Sequence, residues 1–368
     1  MHRRYDGKLK ELQKKKDNKR ISKLEKYKSE SAEVARSDLR KEIKKDLSDR
    51  SRHDEIVGKI GSMFLEEEII EKTGYRLKTY EPLYEVPLEK SGQRIGDVLL
   101  HNESKNNALI LEVKTGSLSG AFGEIKQIKK TVGENKDRLE RIIGKNYSDV
   151  ICDYGLVIDE KNLTGTLKDH IESANKEGIP LLTYRSDKLK LHDVSALKDE
   201  ELEKELKQGI RTEMGSSTTI TPNSHDFHIL HNTLLETFKT NMIDEKDDPK
   251  EFSKEEFKET FFGLVTIRDF QEDTRFGKAL NRRIEDVLEK GIEYGIIREI
   301  GEKEYKIYVR GKKDYEKLID NLERKWINEY VERNWEKRAE DYAYKKFMNK
   351  DEEAPSLDDF DQNDNNSK

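Results

Sequence analysis

Asp97, Glu112 and Lys114 are the residues of this chain whose types and spacing suit chemistry. Glu112 and Lys114 lie in ALILEVKTGS, residues 108–117, at the end of an apolar run that reads as a buried β-strand. Side chains two apart on a strand share a face, so a carboxylate and an ammonium emerge there together. Asp97 lies fifteen residues earlier, in IGDVLL, far enough back for strand, turn and strand. If the two strands pair, Asp97 and Glu112 meet at one end of a hairpin. Two carboxylates and a backbone carbonyl, that of Val113, are hard oxygen ligands of the kind Mg2+ takes while keeping several waters, with Mn2+ as a substitute. Metal-bound water is acidified and becomes a hydroxide source. Lys114 would orient that water or stabilise charge growing on a phosphoryl group. Glu-x-Lys alone says little, because it recurs at Glu42, Glu103, Glu124, Glu134, Glu205, Glu256 and Glu304. The apolar strand and Asp97 single out Glu112. The alternative is an ion pair at a strand end, of little energetic weight.

The elements around these residues read as α, β, β, β, α, β, α, β. Residues 53–71 suggest a helix with Ile56, Ile60, Met63 and Ile70 on one stripe. At 100° per residue from Ile56, Glu67 falls on the same stripe, a carboxylate facing inward. A strand, YRLKTYEPLYEV, is interrupted at Pro82. A hairpin joins 94–100 to 108–114 through HNESKNN. A helix is expected over 121–143, with Gln127 placed to orient a ligand or touch phosphate. YGLVI (154–158), a helix over 165–177 and IPLLTY (179–184) follow. Helices should cover both faces of a mixed central sheet, an α/β fold.

This arrangement resembles the PD-(D/E)xK nuclease superfamily, the restriction-endonuclease-like fold, over residues 53–195. The segment YGLVIDEKNLTGTLKDHIESANKEGIPLLTY is similar to the corresponding part of Mrr-type restriction enzymes and archaeal Holliday junction resolvases. The resemblance implies a Mg2+-dependent DNA endonuclease in which Asp97, Glu112 and Val113 hold the metal and Lys114 assists. In that family a glutamate of the first helix often completes the metal site, which makes Glu67 the candidate. Gly96 stands where the family often has proline. Restriction, defence or DNA repair would be the role. The rival is a non-catalytic DNA-binding regulator that keeps the fold as scaffold; RNA as substrate and a homodimer both stay open.

Beyond 195 the chain turns acidic, then Ser/Thr-rich, and 196–252 reads as a linker. Residues 253–311 outline a winged helix-turn-helix. Ser253 and Glu256 form a capping box, a second helix covers 275–290, and two short strands flank GEKE. Arg275, Lys278, Arg282 and Arg283 on the second helix, with Lys303 and Lys306 on the wing, suit DNA phosphates. Glu285, Asp286 and Glu289 follow directly, so protein contact is the alternative. A last helix spans 312–349, its aromatics Tyr330, Trp335, Tyr342 and Tyr344 expected to pack rather than stack on bases. Residues 350–368 carry seven acids and two lysines and are expected to be disordered.

Residues 1–52 read as a helical arm. The first 50 residues carry 18 Lys/Arg against 10 Asp/Glu, which hints at a polyanionic partner or a solvated helix. Its apolar residues keep no heptad, so no regular coiled coil is expected. Hydrophobic residues make up 33% and charged residues 40%, a lean core. The lone cysteine, Cys152, excludes an intrachain disulfide and a cysteine zinc site. His225, His228 and His231 step 60° backwards around a helix and read as linker residues. No apolar run approaches ~20 residues, and the basic N-terminus lacks a signal-peptide core. The expectation is a cytoplasmic protein with no membrane partner.

Overall fold

NALILEVK, the strand that carries Glu112, becomes the third strand of a seven-stranded sheet in the computed structural model. The structure describes residues 2–82, 96–115, 120–163, 165–192, 197–212, 224, 226–237, 250–264, 275–307 and 312–352. Helices α1 (His2–Lys14), α2 (Asn18–Met63) and α3 (Glu67–Thr73) precede β1 (Tyr75–Tyr80), β2 (Val98–Asn102) and β3 (Asn107–Lys114). Then come α4 (Ala121–Glu134), α5 (Lys136–Ile143), β4 (Ile151–Asp159), α6 (Leu167–Glu177), β5 (Leu181–Arg185) and β6 (Lys188–Leu191). After these run α7 (Glu200–Gln208), β7 (Ile210–Arg211), α8 (Asp226–Thr237), β8 (Lys250–Ser253) and α9 (Lys254–Leu264). The last elements are α10 (Arg275–Glu293), β9 (Ile297–Gly301), β10 (Glu304–Ile307) and α11 (Lys312–Phe347). The chain is mixed α/β, and among the described residues no helix is long and apolar enough to cross a membrane. It divides into two units, 47–319 and 1–46 with 320–368.

In the larger unit the strands lie in chain order, β1 to β7. β3, β4 and β5 run parallel, and the other pairings are antiparallel. β3 is buried on both faces, which is why its run from Ala108 to Leu111 is apolar. Leu109, Leu111 and Val113 face a core built with Ile56, Val57, Ile60 and Phe64 of α2 and Leu202 and Leu206 of α7. Ala108 and Ile110 face the opposite core, with Ile125 and Ile128 of α4, Leu139 of α5 and Ala174 of α6. Glu112 and Lys114 therefore project toward the α4 side, at the C-terminal ends of the parallel strands.

Several expectations shift. The helix read over 53–71 is the end of a 46-residue helix that stops at Met63. Phe64 N–H bonds back to Gly61 and Leu65 N–H to Ser62, three-residue bonds that tighten the last turn, and α3 starts afresh. The helix read over 121–143 breaks at Asn135 into α4 and α5. The supposed linker 196–252 contains α7 and β7, whose Leu202, Leu206 and Ile210 are core. The i, i+4 pair of leucines buries one face of a helix that composition alone makes look solvated. α8, also in that range, is buried through Ile229, Leu230 and Leu234. His228 is thus nearly buried rather than a linker residue. The remainder, including most of GSSTTITPNS and His225, lies outside the described residues, as do 83–95 and the acidic tail beyond 352.

β8, α9, α10, β9 and β10 form a second layer, with an antiparallel sheet in the order β8-β10-β9. The sequence reading missed β8. Its Phe252 stacks 5.5 Å from Tyr305, and the capping box forms reciprocally between Ser253 and Glu256. In the smaller unit, Tyr5, Leu12, Leu24, Tyr27, Ala343 and Phe347 make a core of their own. α2 and α11 run antiparallel there, with Lys28 paired to Glu340 and Arg36 to Glu332. Arg36 also lies 4.0 Å over the Trp335 ring. Part of the arm's basic charge is thus matched by acids of α11.

His101 of β2 is fully buried, and both its ring nitrogens lack a hydrogen-bond partner among the described residues. Burial, then the Lys78 charge, pushes its pKa down to about 4. As pH falls from about 6.5 toward 4, the unfolded chain takes up a proton that folded His101 refuses, so stability is lost across that window. The full effect approaches about 3 kcal/mol. His101→Leu should flatten the acid limb of urea-melt stability between pH 7 and pH 4.5. Parallel pH dependence in wild type and variant would show that the ring is solvated.

Candidate active site

β2 and β3 pair with Val98 opposite Leu111, which brings Asp97, just before β2, level with Glu112. Asp97 N–H donates to the Leu111 carbonyl at 2.8 Å. Its Oδ2 accepts the Val113 N–H at 2.6 Å. A strand residue directs N–H and C=O at the same neighbour, so the Val113 carbonyl lies on the Asp97 edge too. Gly96 sets this bend. It has φ +73°, and a Cβ there would meet Ile110 Cγ2 at 2.7 Å. Proline, locked near −65°, cannot take that conformation, which accounts for glycine here.

Glu112 and Lys114 share a face as the strand period requires. Lys114 Nζ donates to Glu112 Oε1 at 2.6 Å and lies 2.6 Å from Glu124 Oε2, in the first turn of α4. From α2, His53 Nε2 lies 3.3 Å from Asp97 Oδ2, and its Nδ1 lies 3.3 Å from Asp54 Oδ1. Asp97 and Glu112 are 8% and 7% exposed, so both are charged groups largely out of water.

The two carboxyls behave differently. Burial, with the Asp97 charge in support, pushes Glu112 up to about 8 despite Lys114. Burial would raise Asp97 as well, but His53, the Val113 N–H and Lys114 outweigh it and hold that carboxyl below its usual value. Burial opposes charge on His53 and Lys114, yet their carboxylate neighbours raise both pKa values, so the two are cationic. At the end of β4, Arg52 forks onto buried Asp159 at 2.9 and 3.1 Å.

The sequence-derived set is only partly assembled. Asp97, Val113, Glu112 and Lys114 come together. Glu67 does not: it is exposed at the start of α3, because the 100° step from Ile56 assumed an unbroken helix. Gln127 is exposed as well; Ile125 and Ile128 take the sheet-facing positions, and Glu124, one turn earlier, is the α4 residue that reaches the site. His53, Asp54, Glu124 and the Arg52–Asp159 pair were not foreseen. The one signal for them was charge beside apolar stripes: His53 and Asp54 precede Ile56, and Glu124 precedes Ile125.

On α10, Arg282 is exposed. Arg283 turns inward, held by the Ser224 carbonyl and by Asp226 at 3.5 Å, so its guanidinium is engaged within the fold rather than presented as a phosphate contact. The side chains of Arg275 and Lys278 lie outside the described residues. On β10, Lys306 pairs with Glu251.

Among the described residues, no group of three or more His, Cys, Asp or Glu side chains is arranged to hold a metal ion. The donor chemistry of the smaller set nonetheless fits Mg2+, which needs one or two carboxylates and otherwise keeps waters. Two buried carboxyls close enough for one to raise the pKa of the other are relieved by a cation between them.

An uncharacterized protein of Archaeoglobus fulgidus is 23% identical to this chain over 303 residues, covering 74% of this chain and 79% of the relative. No protein-family model matches the chain. No solved structure matches it either.

Proposed function

We propose that this chain is a Mg2+-dependent endodeoxyribonuclease of the restriction-endonuclease-like kind, with the β8–β10 layer acting as a winged-helix module. The observation that carries the reading is the pair of buried carboxylates, Asp97 and Glu112, at neighbouring strand ends with Lys114 on the Glu112 face. An ion pair with no further task has no need of a second buried carboxylate beside it. When bound, Mg2+ supplies an acidified water and neutralises charge on the scissile phosphate. Asp97, Glu112 and the Val113 carbonyl would hold it. Lys114 would then exchange Glu112 for the attacking water or a phosphate oxygen, while Glu124 keeps the ammonium oriented.

A second reading is a DNA-binding regulator with a silent site. It is favoured by the way Glu112 and Glu124 already neutralise Lys114. Incubation with plasmid, linear and branched DNA, with RNA as comparison, separates the two. The nuclease reading expects strand breaks with Mg2+ or Mn2+ and none with EDTA. Binding to any of these without breaks under all conditions favours the regulator.

A further inference from the structure

The helix that borders the site carries a carboxylate with no place in the chemistry above. Asp54 of α2 is buried beside Ile56 and Val57. A carboxylate so placed is costly unless donors meet it. One donor comes from far along the chain: the Ser224 hydroxyl, itself buried, donates to Asp54 Oδ2 at 2.5 Å. Ser224 is in turn fixed to the C-terminal layer. Arg283 of α10 donates to its carbonyl and pairs with Asp226, and Lys290 of α10 pairs with Asp226 as well. α8, which Asp226 begins, packs on α9 and α10.

The other Asp54 oxygen faces His53 Nδ1 at 3.3 Å, and His53 Nε2 faces Asp97 Oδ2 at 3.3 Å. That oxygen also accepts the Val113 N–H. Arg50 and His228 also act on this region, His228 from α8. A continuous series of polar contacts thus runs from α10 through Ser224, Asp54 and His53 to Asp97.

We propose that Ser224 and Asp54 are positioning residues through which the C-terminal layer sets the orientation of His53 and hence of Asp97, so that seating of this layer tunes the strand-end site. The inference rests on the nuclease reading for its consequence, though not for its geometry. Groups that orient a ligand from outside typically change metal affinity or rate by 10–100-fold when removed.

The test compares wild type with Ser224→Ala, Ser224→Thr and Asp226→Asn in the full chain. The His53 ring nitrogens and the Val113 amide proton are followed by NMR without metal, alongside DNA affinity and single-turnover cleavage with Mg2+. Ser224→Ala should shift both sets of signals, cut about 10-fold more slowly and bind DNA within about twofold of wild type. Ser224→Thr, which keeps the hydroxyl, should restore signals and rate. Asp226→Asn loosens the clamp without touching α2, so it should move the same signals in the same direction even if Ser224→Ala does not fold. Unmoved signals in Asp226→Asn, or in a folded Ser224→Ala, overturn the proposal. A wild type that cuts nothing overturns the nuclease reading alone, and the NMR arm still decides this one.

Discussion

Lys114→Ala should bind DNA nearly as well as wild type yet cut it at least ~100-fold more slowly, the scale of a lost electrostatic stabiliser. The side chain is half-buried and bridges Glu112 and Glu124, so its ammonium is held beside the carboxylates before any substrate arrives. Charge placed in advance acts on the transition state more than on ground-state binding, and the loss should appear in the chemical step. Affinity and single-turnover cleavage measured on the same two proteins decide the matter. Equal cutting rates would reduce Lys114 to the structural half of an ion pair. No cleavage by either form, with weaker DNA binding by the variant, would fit the regulator.

Asp97→Asn should abolish measurable Mg2+ binding and lower cleavage by more than the 10–100-fold that an orienting group costs. The amide keeps the carboxyl's shape and can still accept the Val113 N–H, so the bend at Gly96 should hold. What it loses is the charge that faces His53 and sits near Glu112. Calorimetric titration with Mg2+ reads the first effect without any assay of activity, and thermal melting checks the fold. Mg2+ affinity equal to wild type in the variant would remove Asp97 from the ligand set.

The strand ALILEVK, the residues Asp97, Glu112 and Lys114, and the order of the core elements were legible because each rests on local pattern. A stretch buried on both faces, such as 108–111, is apolar, and a period of two places Glu112 and Lys114 together. The capping box at Ser253 and the long last helix were legible for the same reason. Glu67 and Gln127 were misplaced because helical projection assumes an unbroken helix and does not say which turn meets a neighbour. α2 ends in a tight turn at Phe64, and α4 offers Glu124 first.

The sequence by itself determined the period, polarity and capping of each element, and so the mixed α/β class and the strand that carries Glu112 and Lys114. Only the tertiary structure decided which distant groups meet there: His53 against Asp97, Glu124 against Lys114, Ser224 against Asp54. It also turned Arg283 inward toward Ser224 and Asp226. The physical reason is that backbone preferences act over a few residues. Pairing of buried charges is settled by whichever opposite charge or donor the packed layers bring within about 3 Å. The separation of 170 positions from Asp54 to Ser224 leaves no periodic trace of their contact.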